Sequence, residues 1–357
     1  MTNRTKPLPS RRDGLPVVSV VFAAYNAQHT LAAAVESALA QNYPYMEVVV
    51  IDDGSTDGTA DVIRSFGDRV RAAWQPNAGL ANARNSGCRL ARGELLALMD
   101  ADDLCSPERI AWQVQVFRRF PETILCGSDF SAFAEGGEVS PSFGTEYYSA
   151  LSEASGGMAA KYKVRETLAN DSTWRTTPAE DEFVEVYAGA VYPELAFGNF
   201  VHPPTVMLRR DALFDVGLFD ESIRYNSDWE CFVRLSRVGP FAHIGSPLLA
   251  YRLSAAQMSS SVGNKGRGAA DLVRTFEKVC LADSDLFRDQ TDRVLACRRQ
   301  FCADAARVLV ESARSEAARM LWKSAASGGI DGEWLKTLCK LALPGGLLRV
   351  ARRIKSR

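Results

Sequence analysis

The chain has 357 residues, with 42 Lys+Arg against 43 Asp+Glu and a formal net charge of -1, a balance that excludes a general nucleic-acid binder. With 46% hydrophobic and 24% charged residues, it holds enough apolar material for a large core, which excludes global disorder. A single core usually stops growing at roughly 250–300 residues, so one catalytic domain with an appendage is expected.

Met1 to Gly14 is polar and basic without an apolar run, and no stretch approaches the ~18 apolar residues of a membrane span, which predicts a cytoplasmic protein. From Pro16 apolar runs alternate with helical stretches, the pattern of βα units. Strands are predicted at Val17–Ala23, Glu47–Ile51, Val70–Trp74, Glu94–Met99 and Ile124–Phe133. Helices are predicted at Thr30–Ala40, Asp57–Phe66, Gly79–Ala91 and Pro107–Phe120, the last with Pro at its first position. Between about Glu135 and Glu182 the composition turns to Gly, Ser, Thr and charge with weak periodicity, an insertion. Order returns at Tyr187–Phe200, with a strand at Thr205–Leu208, a turn and helix at Arg209–Val216 and a helix at Asp228–Arg237. Short strands follow near Phe241–Ile244 and Leu248–Tyr251, and from about Gly266 the chain is helical and amphipathic. Eight cysteines, Cys88, Cys105, Cys126, Cys231, Cys280, Cys297, Cys302 and Cys339, form no CxxC pair and no zinc spacing; they read as reduced, mostly buried thiols.

Ligands of open α/β sheets bind beyond the carboxyl ends of the strands. Here those ends carry Tyr25-Asn26, Asp52-Asp53-Gly54-Ser55, Asn77-Ala78-Gly79 and Asp100-Ala101-Asp102-Asp103. Two carboxylates spaced by two at a strand end can both turn to a hard divalent cation, and such a cation neutralises a diphosphate. The competing reading of the acidic run is a cap on the following helix, but that leaves Asp52, Asp53 and Tyr25 on the same edge unexplained. No GxGxxG follows the first strand, which disfavours a dinucleotide dehydrogenase. Ala23–Thr30 lacks the glycines of a nucleotidyltransferase phosphate loop.

Together, Val17–Asn26, Val48–Gly58, Gly79–Gly87 and Glu94–Asp103 resemble the nucleotide-sugar half of the family 2 glycosyltransferases. Gly198–Arg210, Gly217–Glu221 and Ser227–Leu235 extend the resemblance over about residues 16 to 255. It implies an α/β, GT-A type fold, a Rossmann-like, mainly parallel sheet flanked by helices at 16–262, with the insertion at about 135–182 and a helical segment at 266–357. It also implies inverting transfer from a nucleotide-sugar, UDP-sugar favoured, with Mg²⁺ or Mn²⁺, to a glycan or lipid-linked acceptor in cell-surface polysaccharide or glycolipid synthesis.

Placed on this sequence, the resemblance gives Tyr25 to stacking on the base and Asp53 to the uracil edge, with Asp52 sharing that role. Arg84 lies near base and phosphates, Asp100 near the ribose and the metal, and Asp102 on the metal. Ala24 and Ala101 belong to the nucleotide-sugar-binding set. Asp228 falls on the general base, and its helix carries the apolar face Trp229, Phe232, Val233 and Leu235; an N-cap is the competing reading. The chain departs from the pattern at Ser227, where many relatives have Glu, and at Ser254, after Tyr251-Arg252-Leu253, where many have a metal-contacting His. Gln257, Ser259 or water could substitute there, and a binding protein that kept the fold without turnover is the alternative function. His29, His202 and His243 read as structural or loop residues. Leu347–Arg357 interleaves apolar and basic residues, which suits either a peripheral contact at the inner face of the plasma membrane or a solvated helix end.

Overall fold

The computed structural model describes residues 14–152, 156–170, 182–254, 262–310 and 312–342. Leu347–Arg357, Gln257 and Ser259 lie outside the described residues. The chain forms two compact units, one of Met1–Ser222 with Cys231–Leu253, the other of Ile223–Glu230 with Ser254–Arg357.

Buried apolar runs make the first strands of the first unit: β1 (Val18–Ala24), β2 (Met46–Asp52), β3 (Arg71–Trp74) and β4 (Leu95–Asp100). They lie in the order β3-β2-β1-β4 and are all parallel, joined through the helices Leu31–Leu39, Thr59–Ser65 and Leu80–Leu90. Side chains alternate across the pleat. Val18, Val20 and Phe22 join Leu31, Ala34, Val35 and Ala38 in one core, while Val21 faces the helix Leu80–Leu90. That helix lies so close that a Cβ on Gly87 would stand 2.4 Å from Val21 Cγ1.

The remaining strands are β5 (Leu104–Cys105), β6 (Leu125–Ala134), β7 (Gly137–Ser140), β8 (Val164–Ala169), β9 (Phe183–Gly189), β10 (Met207–Arg209) and β11 (Phe241–Arg252). The sheet continues β4-β10-β6-β11-β9-β8, with β5 on β11 and β7 on β6. β6 and β11 are parallel; the other added pairs are antiparallel. Two expectations need correction. The segment read as an irregular insertion supplies β7 and β8, and the two short strands near its end of the sheet are one strand, β11, whose register with β6 shifts around Pro247, a bulge.

The second unit is helical: Val262–Phe276 running on into a π-helical turn at Glu277–Leu281, then Ser284–Asp289, Thr291–Leu309, Arg314–Gly328 and Gly332–Ala342. Small and apolar residues such as Val273, Ala305, Ala306, Leu309, Ala317, Met320 and Leu321 make its own core. All eight cysteines are free thiols, and only Cys339 is exposed. Among the described residues no helix is long and apolar enough to cross a membrane.

Candidate active site

The register of β1, β2 and β4 decides what meets at the carboxyl edge of the sheet. Ala24 pairs with Asp52 and Ala23 with Asp100, so Tyr25, Asp53 and Ala101-Asp102 leave the sheet side by side. The loop after β1 is stitched to the loop after β2. Asn26 N donates to Ser55 Oγ at 3.0 Å, Thr56 N to Asn26 Oδ1 at 2.8 Å and Ala27 N to Thr59 Oγ1 at 2.8 Å. Asn26 is left-handed at φ 51°, a conformation that asparagine's short polar side chain tolerates. Tyr25 is 53% exposed, a ring offered to solvent from a pinned backbone.

Asp52 and Asp53 are equally buried, at 3% exposure, but are used differently. Asp53 accepts from Gln75 Nε2 at 2.7 Å, Ala78 N at 3.0 Å and Gly79 N at 2.9 Å. Both oxygens are engaged, two of the donors being main-chain N–H groups at the start of the helix Leu80–Leu90. Asp52 Oδ1 accepts from Ser55 N at 2.9 Å, and Oδ2 has no hydrogen-bond partner among the described residues. Gly54, which follows them, is forced: at φ +75° it comes so near the next loop that a Cβ would lie 2.5 Å from Asn77 N.

Buried Arg84 donates Nη2 to Asp100 Oδ1 at 2.8 Å, and the Asp100 side chain keeps 30% of its exposure. Ala101 and Asp102 are half-buried and Ala24 is buried. Asp103 is fully buried; its Oδ1 accepts from Arg252 N at 2.9 Å, and its Oδ2 has no hydrogen-bond partner among the described residues. Burial, reinforced by the charges of Asp100 and Asp102, pushes the Asp103 carboxyl well above the usual range. Arg252 Nε also donates to the Asp102 carbonyl at 2.8 Å, so the end of β11 clamps the acidic turn.

Sequence reasoning missed this support. Asn85 donates to Phe219 O and Glu221 Oε1 and accepts from Phe219 N, and Asn82 donates to Glu221 Oε2. These bonds join Gly79–Gly87 to Gly217–Glu221, and they hold the Glu221 carboxyl below the usual range. Arg109 is buried beneath β4, donating to Leu98 O and Val206 O at 3.0 and 3.1 Å; burial lowers its guanidinium to about 10. An arginine at the first position of the helix Arg109–Arg119 gives no sequence signal of that position.

His202 stacks on Phe130 with centroids 4.0 Å apart, and its Nδ1 lies 3.1 Å from Tyr148 Oη. Burial, then Arg84 and Arg109, lower its imidazole to about 3. His243 is likewise buried, which lowers it to about 4, and His29 sits exposed beside Gln28. Asp228 opens the helix Ser227–Ser236 and belongs to the second unit, whereas the strand-end residues belong to the first. Ser227 is buried and Ser254 is exposed.

Among the described residues no group of three or more His, Cys, Asp or Glu side chains gathers as a metal centre. The edge does hold carboxylates reachable from outside at Asp100 and Asp102, a hard-oxygen donor set. That set fits a divalent cation of the kind bound through one or two carboxylates and completed by substrate phosphates and water.

The glycosyl transferase family 2 model matches residues 19–167. The chain is 24% identical over 294 residues to an uncharacterized glycosyltransferase of Rickettsia prowazekii, covering 82% of this chain and 79% of that one. It is 38% identical over 102 residues, 28% of this chain and 41% of the relative, to the UDP-Glc:alpha-D-GlcNAc-diphosphoundecaprenol beta-1,3-glucosyltransferase WfaP of Escherichia coli. The structure of a Pyrobaculum calidifontis mannosyltransferase in complex with GDP-Man and Mn²⁺ superposes with a TM-score of 0.53 at 21% identity, covering 96% of this chain and 84% of that one. With the strand-end carboxylates and the exposed aromatic lying on the strands that the family match covers, residues 19–167 form a family 2 glycosyltransferase domain, and the chain has the GT-A fold.

Proposed function

We propose that the chain transfers a sugar, with inversion, from a UDP-sugar to an acceptor hydroxyl in the assembly of a cell-surface polysaccharide or glycolipid. The observation that carries the donor half is the register that sets exposed Tyr25, the Asp52 carboxylate, whose Oδ2 has no hydrogen-bond partner among the described residues, and the Arg84–Asp100 pair along one sheet edge. Tyr25 stacks on the base. Asp52 Oδ2 accepts from the uracil edge, a role the resemblance gave first to Asp53, whose oxygens already serve Gln75, Ala78 and Gly79. Arg84 holds Asp100 toward ribose and diphosphate. Asp100 and Asp102 would hold Mg²⁺ or Mn²⁺, which supplies charge neutralisation for the departing diphosphate when bound.

In the displacement the acceptor oxygen bonds to the anomeric carbon as the bond from that carbon to the phosphate oxygen breaks. The hydroxyl proton passes to the Asp228 carboxylate, and the products are the glycoside and UDP. The WfaP name supports both the UDP-linked donor and a lipid-linked acceptor; such an acceptor would bring the protein to a membrane surface, which the basic run Leu347–Arg357 suits.

Asp228→Asn tests the reading, because Asn keeps the size and capping ability but cannot take the proton. Calorimetry should show UDP-sugar and Mn²⁺ bound as by the wild type, while transfer falls roughly 10²–10⁴-fold, the usual loss for a general base. Near wild-type transfer by that variant would overturn the assignment.

A further inference from the structure

The opening of the helix Ser227–Ser236 is held by the helices of its own unit. Tyr225 N donates to Asp271 Oδ2 at 3.2 Å and Asn226 Nδ2 to Gly268 O at 3.3 Å, with Asn226 left-handed at φ 64° as the chain turns into the helix. Trp229 packs edge-on against Phe301, ring centroids 6.1 Å apart. Glu230, its side chain 1% exposed, pairs with Lys278 Nζ at 2.6 Å.

Lys278 owes its place to an irregularity. The helix Val262–Phe276 widens into the π-helical turn Glu277–Leu281, a form that recurs at functional sites. Within that turn Glu277 is taken by Arg298 and Lys323, and Lys278 reaches Glu230. As a source of stability a buried ion pair is weak, because desolvation offsets the attraction. Its directional effect is firmer. Residues two apart on an α-helix point about 200° apart around the axis, so pinning Glu230 toward Lys278 turns Asp228 to the opposite side of the same turn.

We propose that Lys278 is a positioning residue for sugar transfer: through Glu230 it fixes the rotation of the first turn of the helix Ser227–Ser236 and thereby the direction of the Asp228 carboxylate. The inference rests on Asp228 as the general base.

Initial-rate kinetics on the full chain, with UDP binding measured in parallel by calorimetry, test it. Lys278→Met should lower kcat at least tenfold while donor KM and UDP affinity stay within twofold of wild type, and Lys278→Arg, which can still pair with Glu230, should recover most of the rate. If the unpaired carboxylate of Lys278→Met spoils folding, Glu230→Gln combined with Lys278→Met removes the buried charge; that double variant should melt near the wild type and remain slow. Wild-type kcat in either folded variant overturns the positioning role. Asp228→Asn, run alongside, separates the two ideas: wild-type turnover there removes the base itself, whereas an inactive Asp228→Asn beside a fully active Lys278→Met removes only the part played by Lys278.

Discussion

Asp52 and Asp53 are adjacent and equally buried, yet among the described residues one carboxylate is spent on the protein and the other keeps an oxygen without a hydrogen-bond partner. Asp53→Asn leaves one of the main-chain donors at Ala78 and Gly79 short of an acceptor, which costs about 1–3 kcal/mol and should show as a lower Tm. Asp52→Asn should leave Tm near the wild type and weaken UDP about tenfold or more, in line with a hydrogen bond to a charged group worth roughly 1.5–3 kcal/mol. Thermal melts and calorimetry on the two variants decide; the opposite pattern would return the base edge to Asp53. A sequence could bring both aspartates to the strand end, because a buried apolar run stops there. It could not separate them, because the difference lies in where the Gln75–Gly79 loop returns.

The parallel half was legible because each βα unit carries its own signal, a continuous apolar run followed by a 3.6-residue period. β1, β2, β4 and the helix Leu80–Leu90 lie within a residue or two of their expected ends. β8 was not, since it is mostly exposed and exists through its pairing with β9; β11 read as two pieces because Pro247 marks a bulge inside it. The π-helical turn at Glu277–Leu281 also left no periodic trace. A tight joint between elements is Gly87 against Val21 and Ile51, where the helix bearing Arg84 meets the sheet. Gly87→Ala places a methyl in that contact, and overpacking of this kind costs about 1–3 kcal/mol. We expect a lower Tm together with weaker UDP binding, as the helix backs away and carries Arg84 from Asp100; an unchanged Tm would mean that Val21 simply rotates aside.

At the scale of the molecule, two imidazoles set a response to acid. His202 and His243 are lowered to about 3 and about 4 by burial, against an ordinary value near 6.5. Between those limits the unfolded chain binds protons that the folded chain refuses, so stability falls as pH drops through about 6.5 and continues to fall until the folded groups titrate. Each ring contributes a slope of up to about 1.4 kcal/mol per pH unit in that window. His202→Phe keeps the stacking on Phe130 but cannot take a proton, so urea unfolding between pH 6 and pH 4 should show a shallower decline than the wild type. Equal slopes would mean that His202 takes up its proton in the folded chain as readily as in the unfolded one.

The sheet order has a consequence for biosynthesis. β1 to β4 are complete once Asp100 has been made, but β10, the antiparallel neighbour of β4, begins at Met207. At about 5–20 residues per second of synthesis, the outer edge of β4 stands unpaired on the ribosome for about 5–20 s. An open strand edge is a template for pairing with other chains, so that interval is when nascent copies on one message are most exposed to each other, and when a chaperone covering the β4 edge would raise the yield of folded enzyme.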